Sequence, residues 1–220
     1  MEFLLKLVDM FRPSSDAFLF MWAILVAAVI TISIIIERLV FVSSRTGSKP
    51  EEFMRRVLDA VKNNDIAAAQ AYCQRANKMA LAQVVKAGLQ DADTNASRIQ
   101  NTIDAASLKV VPELEKRTGF LAVIGNVSTL LGLLGTVYGL IMSFAAVGKP
   151  GIDAVQKSEL LAQGIATAMN STFCGLSVAI SAIIMYAFVK AKTQKIVDDI
   201  DEFSLRLKDA LMEKNLKATK

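Results

Sequence analysis

The chain has 220 residues, 53% of them hydrophobic and only 7% aromatic, and its apolar residues gather in blocks instead of spreading as in a soluble core. The net charge of +4 comes from Lys and Arg that lie almost entirely outside those blocks, which points away from nucleic acid and toward a bilayer. Histidine is absent, and Cys73 and Cys174 stand alone in different kinds of segment, so a structural zinc site, a His-based catalytic dyad and a Cys73–Cys174 disulfide are not expected; neither is enzyme activity or a cofactor.

In chain order, residues 1–16 come first. Phe3, Leu4, Leu7, Val8 and Phe11 recur at helical spacing among Glu2, Lys6 and Asp9, which predicts a short amphipathic helix on the periplasmic membrane surface before Pro13, Ser14 and Ser15 break the chain. Residues 17–36 carry no charge, and a run of roughly 20 such residues is what a bilayer core requires, so this is the first span. A cleavable signal peptide is the rival reading, but both signs of charge precede the block and no small-residue cleavage site follows it.

Residues 37–118 read as an all-helical cytoplasmic domain. Gly47, Ser48 and Pro50 mark a turn, and amphipathic patterns follow at Glu51–Lys62, Asp65–Arg75, Met79–Leu89 and Ala96–Lys116, with Asn95 and Ser97 as candidate caps and Pro112 as a candidate kink. No strand alternation or hairpin turn interrupts them. Scaffold is the expected role of this domain.

Residues 119–148 and 160–189 are two further uncharged stretches, each about 30 residues and so longer than a hydrocarbon core of ~30 Å needs at ~1.5 Å per residue. The link at 149–159 holds Pro150 and Gly151 and is short enough to make the pair an antiparallel hairpin on the periplasmic side. Residues 190–220 continue as a cytoplasmic amphipathic helix through Ile196, Ile200, Phe203, Leu207 and Leu211, expected to pack on the cytoplasmic domain. Arg38, Arg45, Lys49, Lys116, Arg117, Lys190, Lys192 and Lys195 flank one side of the spans, which places the N-terminus outside and the C-terminus inside.

The second and third spans are rich in glycine, serine and threonine. Gly125, Ser128, Thr129, Gly132, Thr136, Gly139 and Ser143 share an arc of roughly 100° on the second helix, a pattern that serves either close helix packing or the lining of a pore, with packing favoured for the stripe alone. Asn126 lies off it, near the cytoplasmic end. On the third helix Thr167, Asn170, Ser171, Cys174, Ser177 and Ser181 form a second polar stripe, with Thr172 nearly opposite. Asn170 is the sharpest feature, because an amide in hydrocarbon must be hydrogen-bonded or wet, whereas each serine or threonine can bond back to its own helix. Neither span contains a charged acid or base, so a carboxylate on an ion path has to come from another polypeptide, and three helices are too few to enclose a path alone.

At these residues the sequence resembles the MotA/TolQ/ExbB proton channel family, in its ExbB/TolQ-like branch. The resemblance rests on Ile36-Glu37-Arg38-Leu39, on Leu133-Leu134-Gly135-Thr136-Val137-Tyr138-Gly139, and on Gly164-Ile165-Ala166 through Thr172 followed by Gly175-Leu176. It implies a pentamer whose second and third spans surround a dimer of single-span ExbD- or TolR-like subunits that supply a membrane aspartate. Proton motive force, or sodium as the alternative ion, would turn that dimer and transmit work across the envelope, with a TonB- or TolA-like protein as a further partner. The resemblance puts Thr136 and Thr172 on the ion path, with Thr167 and Asn170 beside them, and makes Gly132, Gly139, Ser143 and Gly175 the packing or pore stripe. Thr167 stands where relatives of this branch carry a glutamate, and Ser181 where they carry a proline. The competing expectation is a membrane-anchored helical scaffold that conducts nothing.

Overall fold

The computed structural model describes Phe11, residues 18–47 and residues 49–218, and it is all-helical, with no strand among those residues. Seven helices follow in order: α1 Phe18–Thr46, α2 Pro50–Lys62, α3 Ile66–Arg75, α4 Ala80–Gln90, α5 Ala96–Glu115, α6 Thr118–Val147 and α7 Ala154–Ala218. Three of them are long and apolar enough to cross a membrane, so the chain is an all-α membrane protein. The amphipathic element expected at residues 1–16 falls, apart from Phe11, outside the described residues; the Phe11 carbonyl accepts the Trp22 indole N–H at 3.3 Å.

Two compact units divide the chain, one of Met1–Ile36 with Arg117–Ala187, the other of Glu37–Lys116 with Phe188–Lys220. The second is built as a water-soluble helical domain. Pro50 opens α2, where its missing N–H costs nothing, and Glu51 and Glu52 in the first turn with Lys62 in the last suit the helix dipole. Asp65 caps α3 by accepting the Ala68 N–H at 2.8 Å, and Asn95 caps α5 by accepting the Arg98 N–H at 2.9 Å; Ser97, the other candidate, sits inside the helix. Gly47 turns the chain between α1 and α2 at φ 73°, a left-handed geometry that favours glycine, and a Cβ there would lie 2.7 Å from Met79 Sδ. One core gathers Met54 and Val57 from α2, Leu81 and Leu89 from α4, and Ile99 and Ile103 from α5. Ile196, Ile200, Phe203, Leu207 and Leu211 of α7 are buried in that same core, so the terminal helix does pack on the domain. Burial pushes the Cys73 thiol up to about 11, which makes it a small inert core residue.

The first unit holds the apolar parts of α1 and α7 together with α6. Only 22% of the most apolar window of each is buried. Phe120, Leu130, Ile141, Met169 and Ile180, among others, are exposed, so these helices need lipid or other polypeptides against most of their surface. The hairpin link is shorter than the 149–159 expected from composition. Helix α7 starts at Ala154 because the Asp153 carboxylate accepts the Gln156 N–H at 2.7 Å, and Lys157 and Glu159 then sit in its first turns. The helix also runs without interruption from that point through residue 218, so the span expected at 160–189 and the helix expected at 190–220 are parts of one element.

Candidate functional site

Helices α6 and α7 meet along a seam of small residues. A Cβ added to Gly139 would lie 3.2 Å from Ala168 Cβ, one on Gly132 3.2 Å from Thr172 Cα, and one on Gly125 3.1 Å from Ile183 Cγ1. At Gly175 the seam is tightest, because a Cβ there would stand 2.5 Å from the Ser128 carbonyl oxygen and 2.9 Å from Gly132 Cα. Both of those obstacles are backbone, which cannot swing aside. The two helices therefore touch main chain to main chain, the approach that small residues permit in a membrane. Gly164 faces the Ser143 hydroxyl in the same way, near the other end of the pair.

The hydroxyls of the first unit fall into distinct groups. Ser33, Thr129, Thr136, Ser143, Thr167, Ser177 and Ser181 each donate to a carbonyl three or four residues earlier on their own helix, at 2.6–3.2 Å. Thr172 is different: its hydroxyl crosses the seam and donates to the Gly132 carbonyl at 3.1 Å. Thr31, Thr118, Ser128 and Ser171 are buried, and their hydroxyls have no hydrogen-bond partner.

The four residues expected on the ion path divide between two sides of α7. Thr172 lies over Gly132, and Thr136, half-buried, is one turn further along α6, where it donates to the Leu133 carbonyl at 2.6 Å. These two share a flank of the α6–α7 pair. Thr167 and Asn170, also half-buried, are turned about 140° and 160° from Thr172 around the helix axis, so Asn170 faces away from α6. Of the small-residue stripe, Gly125, Ser128, Gly132, Gly139 and Ser143 are buried, whereas Thr129 is exposed. Gly132, Gly139, Ser143 and Gly175 all sit in the seam. Ser171 and Cys174 of the second stripe leave it in different directions, Ser171 toward Gly135 and Cys174 toward Met21 of α1, while Ser177 and Ser181 stay exposed.

Gly135, outside the stripe read from the sequence, is buried beside Gly132 and Gly139. Its spacing of three and four residues from those two was the available signal. The uncharged stretches 18–36, 119–148 and 160–189 contain no Asp, Glu, Lys, Arg or His, and no group of His, Cys, Asp or Glu among the described residues could hold a metal ion. What the surface offers an ion is hydroxyl and carbonyl oxygen alone.

Comparison with known proteins gives a consistent picture. The model of the MotA/TolQ/ExbB proton channel family matches residues 76–202. The biopolymer transport protein ExbB of Aquifex aeolicus is 35% identical over 103 residues, covering 46% of this chain and 66% of that protein. The Tol-Pal system protein TolQ of Haemophilus influenzae is 34% identical over 113 residues, 48% of each. ExbB of Salmonella typhimurium is 31% identical over 180 residues, which cover 76% of this chain and 69% of the relative. The chain thus spans about half to two thirds of the length of these curated relatives.

Proposed function

The chain belongs to the MotA/TolQ/ExbB proton channel family, and from that premise we propose that it is the ring-forming subunit of an inner-membrane motor driven by proton motive force. Copies of the chain, five by analogy with the branch it resembles, surround a dimer of a single-span ExbD- or TolR-like partner. That partner brings the aspartate that the spans of this chain lack, and its rotation carries work to the cell envelope, onward through a TonB- or TolA-like protein. The N-terminus is periplasmic and the C-terminus cytoplasmic. Sodium is the alternative ion, since Thr167 replaces the carboxylate that would favour a proton.

The observation that carries this reading is the Thr172–Gly132 bond, on the same flank as Thr136, in spans without a carboxylate or a basic side chain. The seam itself leaves no room for a hydrated ion, because α6 and α7 are in backbone contact at Gly132 and Gly175. The path therefore runs along the open flank, where the Thr136 and Thr172 oxygens and the carbonyl of Gly132 lie within one turn. Thr167 and Asn170, on the other side of α7, join that path only where a neighbouring copy closes it, which is a physical reason for a ring.

The test is ion flux in vesicles holding this chain with a single-span partner that carries a membrane Asp. Thr136→Val and Thr172→Val keep side-chain volume and remove the hydroxyl, so each is expected to abolish energised flux while the complex still copurifies. Normal flux in both variants, or purification that needs no partner, would return the chain to the scaffold reading, which the burial of the glycine stripe also satisfies.

A further inference from the structure

Ser171 has the most unusual environment of the intramembrane hydroxyls. It is fully buried, its Oγ has no hydrogen-bond partner, and it forgoes the carbonyl four residues back that Thr167, Ser177 and Ser181 each use. Instead it is aimed at Gly135. A Cβ on Gly135 would collide first with Ser171 Oγ, then lie 2.9 Å from Ser171 Cβ and 3.4 Å from Phe20 Cβ. The notch left by the missing Cβ is thus filled by a hydroxyl, an arrangement in which only a Cα–H can meet the oxygen. Thr172, the next residue, holds the Gly132 carbonyl one turn back along α6. Consecutive side chains of α7 therefore grip α6 at two glycines three residues apart, and Gly135 directly precedes Thr136.

We propose that Ser171 and Gly135 are positioning residues: the Ser171 hydroxyl seated in the Gly135 notch fixes the rotation and register of α7 on α6, and so holds Thr172 on Gly132 and keeps Thr136 and Thr172 on one flank. Packing alone does not call for a hydroxyl at position 171, because alanine there would fill nearly the same space without leaving a buried donor unmet. Gly164 and Ser143 repeat the pairing at the far end of the seam with the roles of the helices exchanged, but there the hydroxyl also donates to its own helix, to Gly139. The inference that these positions matter for ion flow rests on the flank reading of Thr136 and Thr172. The notch itself does not.

The register is read by a disulfide between Gly125→Cys and Ala182→Cys, since a Cβ on Gly125 lies 3.6 Å from Ala182 Cβ, within disulfide range; the background carries Cys73→Ala and Cys174→Ala. Adding Gly135→Ala is expected to cut the yield of this crosslink by about tenfold, the scale of overpacking against a neighbour that cannot retreat. Ser171→Gly in the Gly135→Ala background is expected to restore it, by opening the space the new methyl needs. Full crosslinking in Gly135→Ala alone, or no recovery in the double variant, overturns the notch. For function, Ser171→Ala, which removes the seated hydroxyl, is expected to lower the crosslink yield, shift the Gly132 carbonyl 13C resonance that reports the Thr172 bond, and lower flux per assembled complex. An unchanged resonance and flux in Ser171→Ala overturn the positioning role, whereas normal flux in Thr172→Val overturns the ion path on which that role depends and leaves the crosslink result standing.

Discussion

The two units of this chain use their residues in opposite ways. In the unit of Glu37–Lys116 and Phe188–Lys220 the buried positions are large and apolar, as with Leu81, Ile103 and Leu207, while charges such as Arg56–Glu52 and Arg206–Glu202 pair on the outside at 2.7 and 2.5 Å. In the unit of Met1–Ile36 and Arg117–Ala187 most large apolar residues are exposed, Met21, Ile24 and Leu121 apart, and the buried positions include many glycines, serines and alanines. The difference follows from the solvent. Removing leucine from water stabilises a soluble core, but lipid is as apolar as leucine, so helices in a bilayer gain by close approach of backbones and by the few hydrogen bonds between them. The polar atoms that such a seam concentrates are then at hand for an ion.

That contrast can be broken from either side. The largest expected effect is in the soluble-type unit, where Leu207→Ala empties a fully buried site and should cost about 2–5 kcal/mol of stability, read by denaturant unfolding of the purified protein. Next comes the seam. Gly175→Ala adds a methyl against the Ser128 carbonyl and Gly132 Cα and should cost about 1–3 kcal/mol in thermal unfolding in detergent, while Gly119→Ala, with nothing within 4 Å, should cost none of this. A tolerant Gly175 would mean that the seam is not closed as described.

The smallest effect concerns Asp199, in the cleft between α2 and α7 with Glu51 and Glu202. Burial first, then the charges of Glu202, Asp198 and Glu51, raise its carboxyl above the usual range, against the opposing pull of Lys195. A raised carboxyl favours the native state while it stays protonated, and that contribution is lost as pH rises through the native value. Asp199→Asn should therefore gain up to about 0.5 kcal/mol at neutral pH, with the gain vanishing in acid. A gain that persists at low pH would show that ionisation of Asp199 is not its source.

Much of this was legible from residues alone. Asn95 announced the start of α5, and the spacing of Ile196, Ile200, Phe203, Leu207 and Leu211 announced a face that did find its core. The grouping of Gly132, Gly139 and Ser143 was equally visible, as was the position of Thr172 apart from the other polar residues of its helix. Gly135 was not, although it is as buried as its neighbours, and neither was the separation of Ser171 from Ser177 and Ser181, which periodicity had placed in one stripe. The early start of α7 escaped because hydropathy marks where lipid ends, while a helix ends where its backbone finds other partners.

Composition and period by themselves determined that this chain has three apolar helices and a helical domain with an amphipathic closing segment, since burial from water leaves a pattern in the order of the residues. Only the tertiary structure decided which side of each span meets which neighbour, that Thr172 reaches across to Gly132 while Thr136 does not leave its helix, and that Ser171 enters the notch of Gly135. The physical reason is that lipid and a neighbouring helix are almost equally apolar, so hydrophobicity cannot choose between them and steric fit does.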